Sequence, residues 1–312
     1  MISGPAAHLE RNAAVLALST ACRSKSHLIV PLLETWTDGT ALEDRWVTAA
    51  REAPERLPNL NASITEALDP KAIREMSDLI EGELDNGTTV VTVLDAAYPR
   101  NLRCVPDRPP FLWVKGSAAA MARERSVAIV GTRRATAVGL DLAKTWAREI
   151  SSTGTGVFSG LAAGVDSAAH EGALDGNGLT VAVMGTGIRT IYPSGNAALA
   201  ETIIDAGGAL VSQFMPDDTP RRWTFPMRNA VMSGLAQATL VVEASETSGA
   251  KLQARIALEQ GKALFLSARL VDAEVWAQKY VDERGAMVVD SSDDVLRVLV
   301  GLQAPPDQLS LC

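Results

Sequence analysis

Cysteine, histidine and positive charge are scarce in this sequence, and each scarcity excludes something. Cys22, Cys104 and Cys312 are odd in number and far apart, so they form neither a disulfide framework nor a C-x-x-C zinc pattern. A reducing compartment fits them, and neither a metal nor a cofactor is expected. His8 and His27 fall in a helical region without a partner pattern, and His170 sits inside a later helix, where a satisfied structural place outweighs catalysis. No apolar run approaches the roughly 18 residues that span a bilayer, and no basic start leads into an apolar stretch with a cleavage site. We expect a cytoplasmic protein. The formal net charge of -8 argues against a broad basic surface that neutralises many phosphates at once. A nucleic acid, if bound, would have to be held locally, by a few arginines and backbone N–H groups in a confined pocket.

What is present is a change of pattern along the chain. From Ala6 to about Gly82 apolar residues recur at three and four positions, in stretches near 13–18, 28–36, 42–51 and 72–80, with breaks at Thr37-Asp38-Gly39, Pro54, Pro58 and Asp69-Pro70. After Asn86-Gly87 short β-branched runs take over, at 90–94, 111–114, 127–130, 157–159, 180–184, 209–212, 239–243, 263–267 and 287–289. Helical periods lie between the later runs, near 137–150, 165–174, 196–206, 226–235, 250–260, 272–283 and 292–299. Continuously apolar strands alternating with helices predict an α/β fold with a Rossmann-like, doubly wound, mostly parallel sheet, preceded by a small all-helical domain. The expected division is 1–85 helical, 86–300 Rossmann-like and 301–312 a flexible tail.

In such a sheet ligands bind beyond the carboxyl ends of the strands, so the loops there are the places to read. Gly131-Thr132-Arg133-Arg134 follows one strand and precedes a helix. Ser159-Gly160-Leu161-Ala162-Ala163-Gly164 does the same, with Asp166 in the first turn beyond, where helix capping is its default role. Gly185-Thr186-Gly187 precedes Tyr192-Pro193-Ser194-Gly195-Asn196, and Ser248-Gly249-Ala250-Lys251 opens the helix after Glu243. Glycine lets a phosphate approach the backbone, a helix start offers unpaired N–H groups, and arginine offers a fork for phosphate oxygens. Any one such loop is as well explained by tight turn geometry and capping; several at strand ends in one sheet point to a shared anion pocket. Neither G-x-G-x-x-G nor G-x-x-x-x-G-K-[ST] occurs, which disfavours a dinucleotide oxidoreductase or a P-loop ATPase. A further segment, Arg221-Arg222-Trp223-Thr224-Phe225-Pro226-Met227-Arg228-Asn229, interleaves basic and aromatic residues. Trp223 and Phe225 could stack on bases of a single strand or pack at a helix entry, and the segment alone leaves both open. Glu243 is the one carboxylate to consider as a catalytic acid or base, and no second group pairs with it.

Read in order, YPRNLRCVPDRPPFLWVKG, VAIVGTRRAT, SGLAAGVDSAAHEGAL, VAVMGTGIRTIYPSGN, FPMRNAVMSGLA, VVEASETSGA and ARIALEQGK resemble the DprA (Smf) DNA-processing family over roughly residues 88–266. The resemblance implies a non-enzymatic protein that binds single-stranded DNA and dimerises. In members used for DNA uptake and transformation it also implies work with a RecA-type recombinase. Carried over, the pocket would comprise Gly131, Arg133, Ser159, Gly160, Gly164, Arg228, Asn229, Ser248 and Gly249, to which the loop reading adds Thr132, Arg134, Ala162, Gly185 and Lys251. Ala163 and Ala230 stand where the family usually has arginine, Gln213 where it usually has glutamate, and Lys251 and Gln253 alter the usual SGSLITA run. Beyond Ser267 the family's customary proline-glycine turn and glycine-asparagine loop are not recognisable, and the winged-helix domain that many members append is not found. These departures motivate an alternative, a regulator or antitoxin of an anti-phage defence cassette with a partner protein, its pocket sensing a nucleotide or DNA end. A third reading, a nucleotide hydrolase similar to the LOG phosphoribohydrolases, lacks their P-G-G-x-G-T signature.

Overall fold

The computed structural model describes residues 5–22, 29–31, 33 and 66–302. The chain divides into two compact units, Met1–Tyr98 with Pro106–Trp113, and Pro99–Val105 with Val114–Cys312. The first contains helices α1 (Pro5–Ala21) and α2 (Pro70–Asp85), strand β1 (Thr88–Thr92) and the opening residues of β2 (Phe111–Gly116). Helix α2 begins where its sequence signals a start: the Asp69 side chain accepts from Lys71 N at 2.8 Å, and Pro70 occupies the first turn, where a missing N–H leaves nothing unpaired. A buried carboxylate, Asp95, ties α1 to the end of β1. It accepts from Thr92 N at 2.7 Å, meets His8 Nε2 at 2.8 Å and is paired with the Arg11 guanidinium. His8 thus has a partner that no local pattern could reveal, because it lies far along the chain. Pro106–Trp113 belongs to this unit as well, with Tyr98 Oη donating to Pro109 O at 2.7 Å. Most of the stretch expected helical at 28–36, all of that at 42–51, His27 and the tail beyond Leu302 lie outside the described residues.

The second unit is the α/β body. After the short helices α3 (Arg100–Arg103) and α4 (Ala118–Met121) it runs β3 (Ser126–Val130), α5 (Ala137–Ser152), β4 (Gly156–Ser159), α6 (Val165–Asp175), β5 (Thr180–Val183), α7 (Ala197–Asp205) and β6 (Ala209–Ser212). It continues with α8 (Thr224–Leu235), β7 (Ala238–Val241), α9 (Gly249–Glu259), β8 (Ala263–Ser267), α10 (Ala268–Ala273), α11 (Val275–Arg284), β9 (Met287–Val289) and α12 (Ser292–Gly301). Every residue of β3 to β7 is buried, which requires cover on both faces of the sheet and explains the absence of polar alternation in the sequence. One face carries a core of Val127, Ile129, Leu240 and Val242 against Ala143, Trp146, Ala147 and Ile150 of α5, Val165 and Ala169 of α6, and Val295 and Leu299 of α12. Helices α8 and α9 pack on each other, and on β3 and β7, opposite them.

Strand order in this unit is β6-β5-β4-β3-β7-β8-β9, and each adjacent pair is parallel. This is the Rossmann-like doubly wound sheet that the periodicity predicts. The chain builds β4, β5 and β6 outward on one side of β3 before returning to lay β7 on the other, so the connections leaving β3 and β7 go to opposite faces of the sheet. Their divergence opens a crevice beyond the carboxyl ends of the two strands, the topological switch point. One expectation is corrected: the helix expected at 272–283 is two helices, broken at Glu274, whose backbone is extended at φ -128°. No Pro or Gly marks that break. Ser267 caps α10 by accepting from Leu270 N at 3.2 Å, and so starts a helix directly at the strand end.

Candidate nucleic-acid interface

The loop after β3 is shaped by the loop after β7. Thr132 N donates to Glu243 O at 2.7 Å, and the Glu243 carboxylate accepts from Thr136 N at 3.0 Å and Thr136 Oγ1 at 2.7 Å. Thr136 also caps α5, its Oγ1 accepting from Gly139 N at 3.0 Å. Both oxygens of Glu243 are therefore engaged near the positive end of a helix, where the side chain braces one loop against the other.

The loop after β4 approaches from the other side. Gly164 adopts φ +85°, and a side chain there would run into the Thr132 carbonyl oxygen and come within 2.8 Å of the Arg133 carbonyl carbon. Only glycine lets the two backbones touch this closely. Asp166 does not spend its carboxylate on capping α6. Its Oδ2 accepts from Gly160 N at 3.2 Å, and it is buried beside the Arg228 guanidinium. Burial pushes the Asp166 pKa up, opposed by the charge of Arg228 and by backbone N–H groups of Ala162 and Gly160. Arg228, at the centre of α8, donates through Nη1 to Gly160 O and to Val183 O, the latter at 2.8 Å, and through Nε to Asn229 Oδ1 at 3.0 Å. Burial lowers its pKa, Asp166 raises it, and Arg133 lowers it further. Behind this pair His170 is fully buried, with Nδ1 2.7 Å from Thr180 Oγ1; burial first, and then the Arg228 charge, lowers its pKa to about 3, so the ring is neutral.

These loops enclose a cavity of about 350 Å³ at the ends of β3 and β7. Of the residues singled out in the sequence, Gly131, Thr132, Arg133, Arg134, Ala162, Phe225, Arg228, Asn229, Ser248 and Gly249 line it. Arg133 and Arg134 also line a more open groove of about 520 Å³ along α5 and α6, with Gly164, Lys144 and Ser167. The two arginines form the ridge between cavity and groove. Both are exposed, neither has an ion pair among the described residues, and the Arg133 guanidinium carbon lies 5.2 Å from the centre of the Phe225 ring. Ser248 caps α9 by accepting from Ala250 N at 3.2 Å, so the positive end of that helix faces the cavity.

Six residues singled out in the sequence do not line the cavity: Gly164 lines the neighbouring groove, and the other five are placed elsewhere, each for a physical reason. Ser159 is buried, its Oγ donating to Ile129 O at 2.6 Å. Gly160 lies against the Arg228 guanidinium, which leaves no space for a side chain. Gly185 makes room for Phe225, whose Cδ1 would lie 2.8 Å from an added Cβ, and its carbonyl oxygen accepts from Thr224 Oγ1 at 2.6 Å. Lys251 turns away to pair with Glu246, its Nζ 5.7 Å from the centre of the Trp276 ring. Trp223 is 51% exposed, edge-on to Phe214 at 6.1 Å, with the Arg221 guanidinium over its face at 6.0 Å. Conversely, Ser245, Thr247, Met232 and Gln253 line the cavity without having been singled out as ligand contacts. Among the described residues no cluster of His, Cys, Asp and Glu could hold a metal ion, and no helix is long and apolar enough to cross a membrane.

The model of the DNA recombination-mediator protein A family matches residues 89–300. Protein Smf of Escherichia coli (strain K12) is 37% identical over 212 residues, which cover 67% of this chain and 56% of that protein. The chain thus spans just over half the length of that relative. DNA processing protein DprA of Bacillus subtilis (strain 168) is 32% identical over 216 residues, covering 69% and 72% respectively. Among solved structures, DNA processing protein A from Streptococcus pneumoniae is similar with a TM-score of 0.62 at 28% identity, over 80% of this chain and 90% of that one. DNA processing protein A from Helicobacter pylori, described for its unique single-stranded DNA binding mode, gives a TM-score of 0.60 at 26% identity, over 68% and 96%.

Proposed function

The chain belongs to the DNA recombination-mediator protein A family, and from that premise we propose that its switch-point cavity holds the backbone of single-stranded DNA in DNA processing and recombination. The observation that carries the reading is the pair Arg133 and Arg134, two exposed guanidinium groups without ion pairs among the described residues, on the ridge shared by the cavity and the groove. A strand laid across that ridge would meet charge-assisted donors, with the start of α9 on the cavity side. Phe225 and the exposed Trp223 offer faces for stacking, which a single strand can use and a duplex cannot. Arg228 is read as the clamp that holds the loop after β4 against β5, since its Nη1 and Nε donate within the protein. The site is read as one of binding rather than catalysis, because the carboxylate of Glu243 is engaged with Thr136. The family resemblance implies a homodimer and, in members used for transformation, work with a RecA-type recombinase. No observation supports the defence-cassette alternative.

Fluorescence anisotropy with a labelled oligonucleotide tests the reading. Single-stranded DNA is expected to bind more tightly than the corresponding duplex, and Arg133→Ala to weaken single-strand binding by roughly tenfold, the size of one charge-assisted contact. Equal binding of both forms, or an Arg133→Ala variant as tight as the parent, would remove the proposal.

A further inference from the structure

The cavity read as a phosphate site contains an acid. Among its lining residues the cations are Arg133, Arg134 and Arg228, and the only carboxylate is Asp166, which is 6% exposed. A carboxylate at the wall of an anion site repels the anion, and burial sharpens the repulsion because little water screens it. Few groups keep that carboxylate charged in the free protein. Its Oδ2 accepts from Gly160 N at 3.2 Å, and the charges of Arg228 and Arg133 favour the ionised form against burial, which favours the neutral acid. The two arginines differ in what else they do. Arg228 donates through Nη1 to Gly160 O and Val183 O and through Nε to Asn229, so it is fixed within the protein. Arg133 is exposed on the ridge and is the side chain read above as a phosphate contact. A phosphate seated on Arg133 therefore neutralises one of the charges that hold Asp166 ionised, and adds a negative charge to the same cavity.

Resting on the single-strand reading above, we propose that Asp166 couples DNA binding to proton uptake: as a phosphate of the strand seats on Arg133, the Asp166 carboxylate takes a proton from solvent and becomes a neutral acid. Only that O–H bond forms, and the carbonyl oxygen of the acid can go on accepting from Gly160 N. The surroundings single out this group. Strands β3, β4 and β5 carry no charged side chain, Lys144 of α5 pairs with Glu171 and Asp175, and Glu201 and Asp205 of α7 are exposed. His170, one turn further along α6, is buried and neutral with a pKa of about 3, and the Glu243 carboxylate is engaged with Thr136. Bound phosphate raises the pH at which Asp166 ionises above that of the free protein. Affinity is accordingly lowest at high pH, rises as pH falls between the two values, and levels off below the lower one.

Titration calorimetry of the full chain with a single strand of thymine nucleotides, in buffers of different ionisation enthalpy at each pH from about 8 to about 5, counts the protons taken up per strand bound. Thymine and the phosphodiester do not titrate in that range, so the count belongs to the protein. The parent is expected to take up at most about one proton per cavity, with affinity rising by no more than about tenfold for each unit that pH falls. Asp166→Asn keeps an oxygen for Gly160 N and is neutral throughout. It is expected to abolish the uptake, to flatten the pH profile, and to bind at about pH 8 at least as tightly as the parent. Arg133→Ala, at an exposed position, tests the coupling without touching Asp166: binding should weaken and proton uptake should fall with it. Parent binding without proton uptake at any pH, an Asp166→Asn variant with the parent's uptake, or undiminished uptake in Arg133→Ala would each overturn this assignment alone. A parent protein that binds no strand at any pH removes the proposed function itself.

Discussion

His170 shows how a single residue can be chemically conspicuous and still be structural. Its pKa falls from an ordinary 6.5 to about 3, because burial excludes the charged ring and the nearby Arg228 charge adds to the exclusion. Between those two values the unfolded chain binds a proton that the folded protein refuses. His170 therefore contributes fully above pH 6.5, and its contribution is lost as pH falls toward 3, by about 1.4 kcal/mol per pH unit. Asp166 shifts in the opposite sense: its raised pKa makes its contribution largest below the ordinary carboxylate range, and that contribution is lost as pH rises through the raised value. A substitution at His170, rather than the parent profile alone, separates the two. His170→Asn keeps an N–H for Thr180 Oγ1 and removes the titration, so urea unfolding should show the parent losing about 2 to 3 kcal/mol more than the variant between pH 7.5 and pH 4.5. Identical pH slopes would show that the ring is not held neutral. At this scale the sequence was only partly legible. Gly131, Arg133 and Arg134 follow a strand and open a helix, and that local context suffices to place them at the cavity. Gln253 carries no such mark: it lines the cavity through the packing of α8 on α9, which its local sequence does not show.

Among the elements, the decisive feature is that the loops after β3, β4 and β7 hold one another. Thr132 N on Glu243 O, Thr136 on the Glu243 carboxylate, and Gly164 against Thr132 and Arg133 form a single braced assembly at the switch point. Gly164→Ala tests the brace. The residue would have to hold φ +85° and would push into the neighbouring loop, so the variant should lose on the order of 1 to 3 kcal/mol of stability in thermal unfolding and bind single-stranded DNA more weakly. A variant as stable as the parent would show that the loops are not in contact. Strands were the elements most legible in the sequence, since a doubly covered strand must be largely apolar, and β3 to β7 are, with one buried serine or threonine each. Their order was not legible, because one strand's residues do not reveal which neighbour lies beside it. The break at Glu274 was hidden too: the start of α10 is set by Ser267 at a strand end, with no helix-breaking residue to announce it.

Taken whole, the molecule is acidic, with a formal charge of -8, yet it presents two exposed guanidinium groups, without ion pairs among the described residues, beyond the carboxyl ends of the central strands. On the proposed reading, contact with DNA is expected to be confined and its salt dependence modest, unlike that of a protein with a basic face. Ala163 is exposed and Ala230 half-buried, so the arginines usual in the family at these positions add no charge to the edge here. The burden falls on Arg133 and Arg134. The most direct measurement is the slope of log affinity against log salt concentration for single-stranded DNA, taken on the parent protein and on the double variant Arg133→Ala, Arg134→Ala. If both guanidinium groups sit on phosphates, removing them should flatten the slope by about 1.4, at about 0.7 per phosphate on a single strand. An unchanged slope with unchanged affinity would place the strand elsewhere on the molecule and contradict the account.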